Sequence, residues 1–390
     1  MDYDINPFNK NEIEKNAPEQ NPFYPAPPKP SSQAEQHPFQ RTVPEQRPLQ
    51  TESLNFPPIS TPFPDSLSAL NLVSKPNAAY SYIKSIFSTD LSQYSDIGSR
   101  KTGFPNLDAE CGMLYPGFYI LGAASGMGKT TFVHQIADNL AEHGKHVLYF
   151  SLIQSKFELT TKSLSRLTAR KNGGRSGITE PEIWLMKTLT KELQAELDSY
   201  AAMIGDRISI FDNTEELTID KISEIVRAYI VGNNVRPVVI VDNLQHLAPK
   251  ENGRYPNNYP ADCNLHSLKI LQQKEHLSLI AISNIDTGSY FRHIDFDSFL
   301  NPGGIEYTAD VIWGLQIQAT RETEKAQTKI DARERFFSAK ALIPRKMELV
   351  CLKNNFGKSI YTCYFDYYPQ YNTFVEEKRI EVEKVVVERL

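Results

Sequence analysis

Gly122-Ala-Ala-Ser-Gly-Met-Gly-Lys-Thr-Thr131 follows the apolar run Phe118 to Leu121 and opens into Phe132, Val133, Ile136, Ala137 and Leu140, which recur at helical spacing and close at Gly144. A strand, a glycine-rich turn and an amphipathic helix, with Gly-Lys-Thr at the junction, form a P-loop. Gly126 and Gly128 let the backbone N–H groups of Ala124 to Thr131 (Ala124, Ser125, Gly126, Met127, Gly128, Lys129, Thr130, Thr131) curl around phosphate oxygens, and the helix N-terminus adds its partial positive charge. Lys129 is positioned for the β and γ phosphates of ATP, and the Thr130 hydroxyl for Mg2+. The strict pattern has Gly six residues before the lysine; this chain has Ala123.

Such a loop needs a carboxylate on a neighbouring strand to orient the metal. Pro237-Val-Val-Ile-Val-Asp242 supplies one, at the carboxyl end of an apolar strand where open α/β sheets bind their ligands. Thr130 and Asp242 are therefore the expected metal residues.

Outward from the loop, residues 102 to about 374 alternate short apolar runs with helical patterns, which predicts an α/β fold with a mostly parallel central sheet. The expected strands are Phe118 to Leu121, Val147 to Leu152, Ile208 to Phe211, Val238 to Val241, Leu277 to Ile282 and Val311 to Leu315. Met347 to Leu352 and Ile360 to Phe365 read as a hairpin around Gly357.

Upstream the composition changes. Fifteen of the 25 prolines fall in residues 1–76 among Gln, Ser, Asn and Glu, so this stretch reads as a disordered Pro-rich arm. Within it Asn6-Pro7-Phe8, Asn21-Pro22-Phe23, His37-Pro38-Phe39 and Thr61-Pro62-Phe63 repeat a Pro-Phe step, either a docking motif for a protein partner or a product of biased composition. Residues 77–101 carry Ile83, Ile86, Phe87, Leu91 and Tyr94 at helical spacing and read as a linker helix with one apolar stripe. Residues 102–375 form the ATPase-type domain, and residues 376–390 a charged tail.

The whole-chain arithmetic narrows the class. With 42 Lys plus Arg against 47 Asp plus Glu, the net charge of −5 gives no global attraction for nucleic acid, so any such contact must be local. No stretch has the roughly 18 uncharged apolar residues of a membrane helix, and Asp2, Asp4, Glu12, Glu14 and Glu19 occupy the place of a basic leader. A soluble, cytoplasmic protein is expected. Cys111, Cys263, Cys351 and Cys363 are too scattered for a zinc site and read as buried free thiols.

Several motifs together resemble the C-terminal RecA-like ATPase domain of DnaB-type replicative helicases. Thr102-Gly-Phe-Pro-Asn-Leu-Asp108 and Gly112-Met-Leu-Tyr-Pro-Gly117 precede the P-loop as they do in that family, and Val147-Leu-Tyr-Phe-Ser-Leu152 is similar to its next strand. Asp242-Asn-Leu-Gln245, Ile282-Ser-Asn284 and Gly304-Ile-Glu-Tyr-Thr-Ala-Asp310 resemble its later motifs in the same order. The resemblance implies a DNA-replication motor: a hexameric ring, ATP and Mg2+ at subunit interfaces, and single-stranded DNA in loops facing the central hole. By position these loops are 248–262, with Lys250, Arg254, Tyr255 and Tyr259, and 287–303, with Tyr290, Phe291 and Arg292. In the catalytic set it implies, Lys129 and Asp242 are joined by Gln245 and Asn284, which sense the γ phosphate, and by Lys353, which reaches in from a neighbour.

Departures from the family pattern fall on its hydrolytic residues. Ile153 stands where the family has the glutamate that activates water, Asn355 where it has an arginine finger, and Thr287 where an arginine follows the Ser-Gln strand. An aliphatic side chain cannot take a proton, a loss of about 10²–10⁴ in rate, and a missing finger removes about 10³–10⁵. Gln154 and Glu158 lie near the first gap, and Lys353, Lys358 and Arg345 near the second. Residues 1–76 also hold nothing like the family's helical N-terminal domain. Two functions are therefore expected in competition: a helicase-type motor with impaired hydrolysis, or a catalytically degenerate nucleotide-binding scaffold or regulator that recruits partners through its arm. A RecA or KaiC relative ranks third.

Overall fold

Among the described residues six strands pair in parallel, as the alternating pattern predicts, and the expected terminal hairpin is present with a further antiparallel strand, Thr373–Glu376, that the sequence pattern does not mark. The computed structural model describes residues 100–212, 217–247, 260–300 and 302–377. The Pro-rich arm, residues 77–99 of the expected linker helix, residues 248–259 of the expected first DNA loop and the tail beyond 377 lie outside the described residues.

The strands are β1 (Gly117–Ala123), β2 (Val147–Ser151), β3 (Ile208–Asp212), β4 (Val238–Asp242), β5 (Ser278–Asn284), β6 (Val311–Ile317), β7 (Arg345–Asn354), β8 (Tyr361–Tyr368) and β9 (Thr373–Glu376). They form one sheet in the order β3-β2-β4-β5-β1-β6-β7-β8-β9. β3 through β6 pair in parallel, and β6 through β9 pair antiparallel. β1, β2, β4 and β6 are buried along their whole length, which is why they read as continuous apolar runs rather than alternating ones. The apolar Leu349, Cys351, Cys363 and Phe365 hold the hairpin to the same core, while Tyr364 faces out.

The helices are α1 (Pro105–Cys111), α2 (Lys129–Glu142), α3 (Lys156–Arg170), α4 (Glu180–Leu185), α5 (Lys191–Ile204), α6 (Ile219–Asn233), α7 (Pro260–Glu275), α8 (Pro302–Thr308), α9 (Thr320–Glu324) and α10 (Lys329–Ala341). Their starts follow capping chemistry: Ser155 and Glu158 form a reciprocal box at α3, Thr179 and Glu182 at α4, and Thr190, Thr218 and Thr328 cap α5, α6 and α10. α2 buries Phe132, Val133, Ile136, Ala137 and Leu140. Phe132 stacks on Phe104 at 5.1 Å and meets Phe365 and Phe374 edge-on, tying the first helices to the hairpin. Leu164, Ile183 and Leu193 make a smaller core among α3, α4 and α5.

Asp310 fixes the base of the sheet. Its carboxylate accepts from the Phe118 amide at 2.8 Å and from Lys269. Cys111, Cys351 and Cys363 are buried free thiols, as expected, and burial pushes the Cys111 and Cys363 pKa values up to about 12. Among the described residues, no helix is long and apolar enough to cross a membrane.

Candidate functional site

The site forms where β1 ends. Gly126 and Gly128 adopt φ of 74° and 91°, a region that L side chains rarely enter, and Gly128 leads straight into α2. A Cβ on Gly128 would lie 2.9 Å from the Phe374 ring and 3.0 Å from Tyr367, so the loop is seated directly on the hairpin's aromatic residues. Ala124 and Met127 are buried, whereas Ser125 and Gly126 are exposed. Ala123 is fully buried in the sheet, so the substitution for the usual Gly leaves the turn intact.

Lys129 Nζ donates to the carbonyls of Ala123 at 2.9 Å and Ala124 at 3.2 Å, folding over the loop. Burial lowers its pKa to about 8, and the charge of Asp242 partly opposes that shift. Asp242 closes β4 beside β2, opposite Ser151. Burial raises its pKa, against hydrogen bonds from Thr130 and Tyr149 and the charge of Lys129. The structure thus brings Lys129, Thr130 and Asp242 together. A hydroxyl, a carboxylate and the backbone N–H groups of a glycine-rich loop are the groups that a magnesium–triphosphate requires.

Gln245 and Asn284 also reach this end of the sheet. Gln245 donates to Ser283 Oγ at 2.9 Å and accepts from the Asn284 amide at 3.1 Å. In register Asn284 lies beside Ala123, at the first residue of the loop's turn.

Lys353 is not brought to the site of its own chain. β7 runs antiparallel to β6, so Lys353 pairs with Ile312 near the far end of the sheet, and its Nζ donates to the Glu306 carbonyl at 2.7 Å. Asn355 is exposed there, its amide bonded to the Asp310 carbonyl. Lys358 pairs with Glu110 at 2.7 Å. Of the three cations near the finger gap, only Arg345 meets the P-loop of its own chain: it donates to the Gly126 carbonyl at 2.9 Å and lies over the Tyr367 ring at 5.4 Å.

The position expected to activate water is also among the described residues. Ile153, just past β2, is 58% exposed. Glu158 is engaged in the α3 cap, where its Oε2 accepts from the Ser155 amide at 2.7 Å and the Ser155 hydroxyl at 2.8 Å. The Ser151 hydroxyl donates to the Gln154 main-chain carbonyl at 2.6 Å.

The expected DNA-loop residues divide. Lys250, Arg254, Tyr255 and Tyr259 lie outside the described residues. Tyr290 and Phe291 are not free stacking surfaces: both are half-buried against the core, and Phe291 meets Phe336 edge-on at 5.1 Å. Apolar area in this short segment is more stable packed under α10 than open to water. Arg292 remains exposed, bonded to Ser289.

Sequence reasoning missed Tyr149 and Lys340. Tyr149 looks like any aromatic strand residue, but its hydroxyl donates to Asp242 at 3.0 Å. Lys340, at the end of α10, donates to the Ser125 carbonyl at 3.3 Å.

Residues 100–376 match the family model described as DnaB-like helicase C terminal domain. The replicative DNA helicase DnaB of Buchnera aphidicola subsp. Baizongia pistaciae (strain Bp) is 28% identical over 166 residues, covering 42% of this chain and 33% of that protein. The chain thus matches only about a third of the length of that curated relative. An ATPase domain solved on its own superposes with a TM-score of 0.61 at 19% identity, covering 77% of this chain and 99% of that one. A DnaB-like replicative helicase, solved in a study of its interactions with primase, gives 0.58 at 20% identity over 78% of this chain and 67% of that one. At those identities the structural likeness is one of fold.

Proposed function

Because the chain belongs to the DnaB-like helicase C-terminal domain family, we propose that it binds ATP and Mg2+ at Lys129, Thr130 and Asp242 and acts as an oligomer on single-stranded DNA, with hydrolysis much weaker than a full catalytic set would give. The observation that carries this reading is the meeting of Lys129 and Thr130 of the P-loop with Asp242 at the end of β4, while Ile153, just past the neighbouring β2, is exposed.

The binding half of the site is complete. Loop amides and Lys129 hold phosphate oxygens, Thr130 and Asp242 hold the metal and its water, and Gln245 couples the end of β4 to Asn284 beside the γ-phosphate position. Magnesium, when bound, neutralises charge on the transferring phosphoryl group. The hydrolytic half is not complete: Ile153 offers no proton acceptor, and Glu158 is held in a helix cap. Lys353 and Asn355, at the opposite end of the sheet, would reach a triphosphate only on a neighbouring copy, which supports an assembled form. Single-stranded DNA then contacts the 248–262 loop and the segment around Arg292. The expected linker at 77–101 then packs on the adjacent subunit, where Ile153 just past β2, Phe157 on α3, and Trp184 and Leu185 on α4 offer exposed apolar area.

The same gaps favour a second reading, in which ATP is a structural ligand of a scaffold whose Pro-Phe arm recruits a protein partner. ATP turnover, with and without single-stranded DNA, separates the two when wild type is run beside Lys129→Ala and an Ile153→Glu, Asn355→Arg double variant. The motor reading expects slow, DNA-stimulated turnover in wild type, none in Lys129→Ala and a rise of at least tenfold in the double variant. ATP retention without any phosphate release favours the scaffold, and failure to retain ATP at all overturns both.

A further inference from the structure

Residues 318–344 join β6 to β7, although antiparallel neighbours need only a two- to five-residue turn. Most of this excess is α10, a helix that the phosphate site does not account for. We propose that α10 forms the nucleoside end of the nucleotide site, with Phe337 as the surface on which the base stacks and Arg333 and Lys340 flanking it. The proposal rests on the reading that the P-loop binds a nucleoside triphosphate.

Arg333, Phe337 and Lys340 are spaced i, i+4 and i+7, so they share one helix face. One end of that stripe is pinned to the phosphate loop. Lys340 Nζ bonds the Ser125 carbonyl and stands 2.9 Å from where a Cβ on Gly126 would be, and the Lys340 carbonyl accepts from Arg345 Nε at 2.8 Å. From there the stripe runs back about 10 Å along the helix. That length is enough to carry a nucleoside beyond its phosphates.

The two phenylalanines of α10 are treated differently. Phe336 is buried and meets Phe291 edge-on, anchoring the helix. Phe337, next to it, is 48% exposed, and the Arg333 guanidinium lies 5.6 Å over its ring. An exposed aromatic face between two cations, continuous with a triphosphate loop, complements a planar base joined to a polyanion. A protein partner would match the ring but not Lys340 and Arg345, which converge on Ser125 and Gly126.

The test is calorimetric binding of Mg-ATP and of magnesium tripolyphosphate to the full chain as wild type, Phe337→Leu, Phe337→Tyr and Lys129→Ala. Loss of one stacked base predicts about a tenfold weaker ATP affinity in Phe337→Leu. Tripolyphosphate affinity should stay unchanged and Phe337→Tyr should be near wild type. Phe337→Trp gives a second readout, since its fluorescence should be quenched by ATP and not by tripolyphosphate. Equal ATP affinity in wild type and Phe337→Leu, or equal weakening for both ligands, overturns the role of α10 while leaving the phosphate site standing. Failure of the wild type to bind either ligand removes the phosphate site and this proposal together.

Discussion

The Tyr149 hydroxyl of β2 donates to Asp242 Oδ2 of β4 at 3.0 Å, with both side chains buried. Burial raises the Asp242 pKa, and this bond is one of the few influences that lower it. The acid must be ionised to serve a metal, so Tyr149→Phe lets its pKa climb further. A hydrogen bond to a charged group is worth about 1.5–3 kcal/mol. Mg-ATP affinity should therefore fall about tenfold, and the deficit should grow as pH is lowered and Asp242 takes up its proton. A pH series of binding isotherms checks this; a deficit independent of pH would mean that the tyrosine acts only by packing.

Lys129 carries the opposite charge, and burial shifts it too towards its neutral form. Its pKa is lowered to about 8 from an ordinary 10.5, chiefly by burial, so the unfolded chain holds a proton over that interval that the folded chain has lost. Stability then rises with pH between 8 and 10.5 on account of this one group. Lys129→Met should abolish triphosphate binding, raise stability at pH 7 by no more than about 3 kcal/mol, and show a smaller rise above pH 8 than wild type. Urea unfolding at pH 7, 8.5 and 10 measures both effects, and a variant less stable than wild type at pH 7 would contradict the argument.

The phosphate end of the site is legible in the sequence because its chemistry is local: loop, helix start and a strand ending in an acid are each contiguous. What cannot be read depends on strand direction and on hydroxyl groups. Lys353, Lys358 and Arg345 are three nearby cations in the sequence, but the antiparallel run of β7 sends Arg345 to the P-loop and Lys353 to the far end. Phe291 reads as available for stacking because nothing in its own segment shows that α10 covers it. α10 itself leaves little trace because Phe336 is its only buried residue, so its sequence carries little apolar periodicity.

Glu158 is the carboxylate nearest in sequence to Ile153, and the geometry assigns it to the cap of α3. Its pKa is held below the usual carboxylate range by the Ser155 amide and hydroxyl, so it stays ionised as an acceptor within the box. Glu158→Ala should lower stability by about 0.5–2 kcal/mol, typical of a lost cap, and leave ATP turnover within about twofold. Denaturation midpoints and phosphate release measured on one preparation decide it. Turnover abolished with the midpoint unmoved would make Glu158 the base after all.

Asp138 on α2 binds three partners in the space between α2, α3 and α5. One oxygen accepts from the Tyr200 hydroxyl at 2.6 Å; the other accepts from Ser163 at 2.8 Å and pairs with Arg166. Burial acts to raise its pKa, but Arg166, with help from His134 and Tyr200, holds it below the ordinary value. Stability from this group is present at neutral pH and lost as pH falls through the depressed pKa. Arg166→Met strands a buried carboxylate and should cost about 3–5 kcal/mol at pH 7. In that variant burial is no longer opposed by the guanidinium, so the sign reverses: protonation relieves the buried charge, and the deficit relative to wild type should shrink towards pH 5. Adding Asp138→Asn removes the charge and should recover part of the loss at pH 7. Equal destabilisation of the single and double variants, at both pH values, would show that Arg166 contributes packing alone.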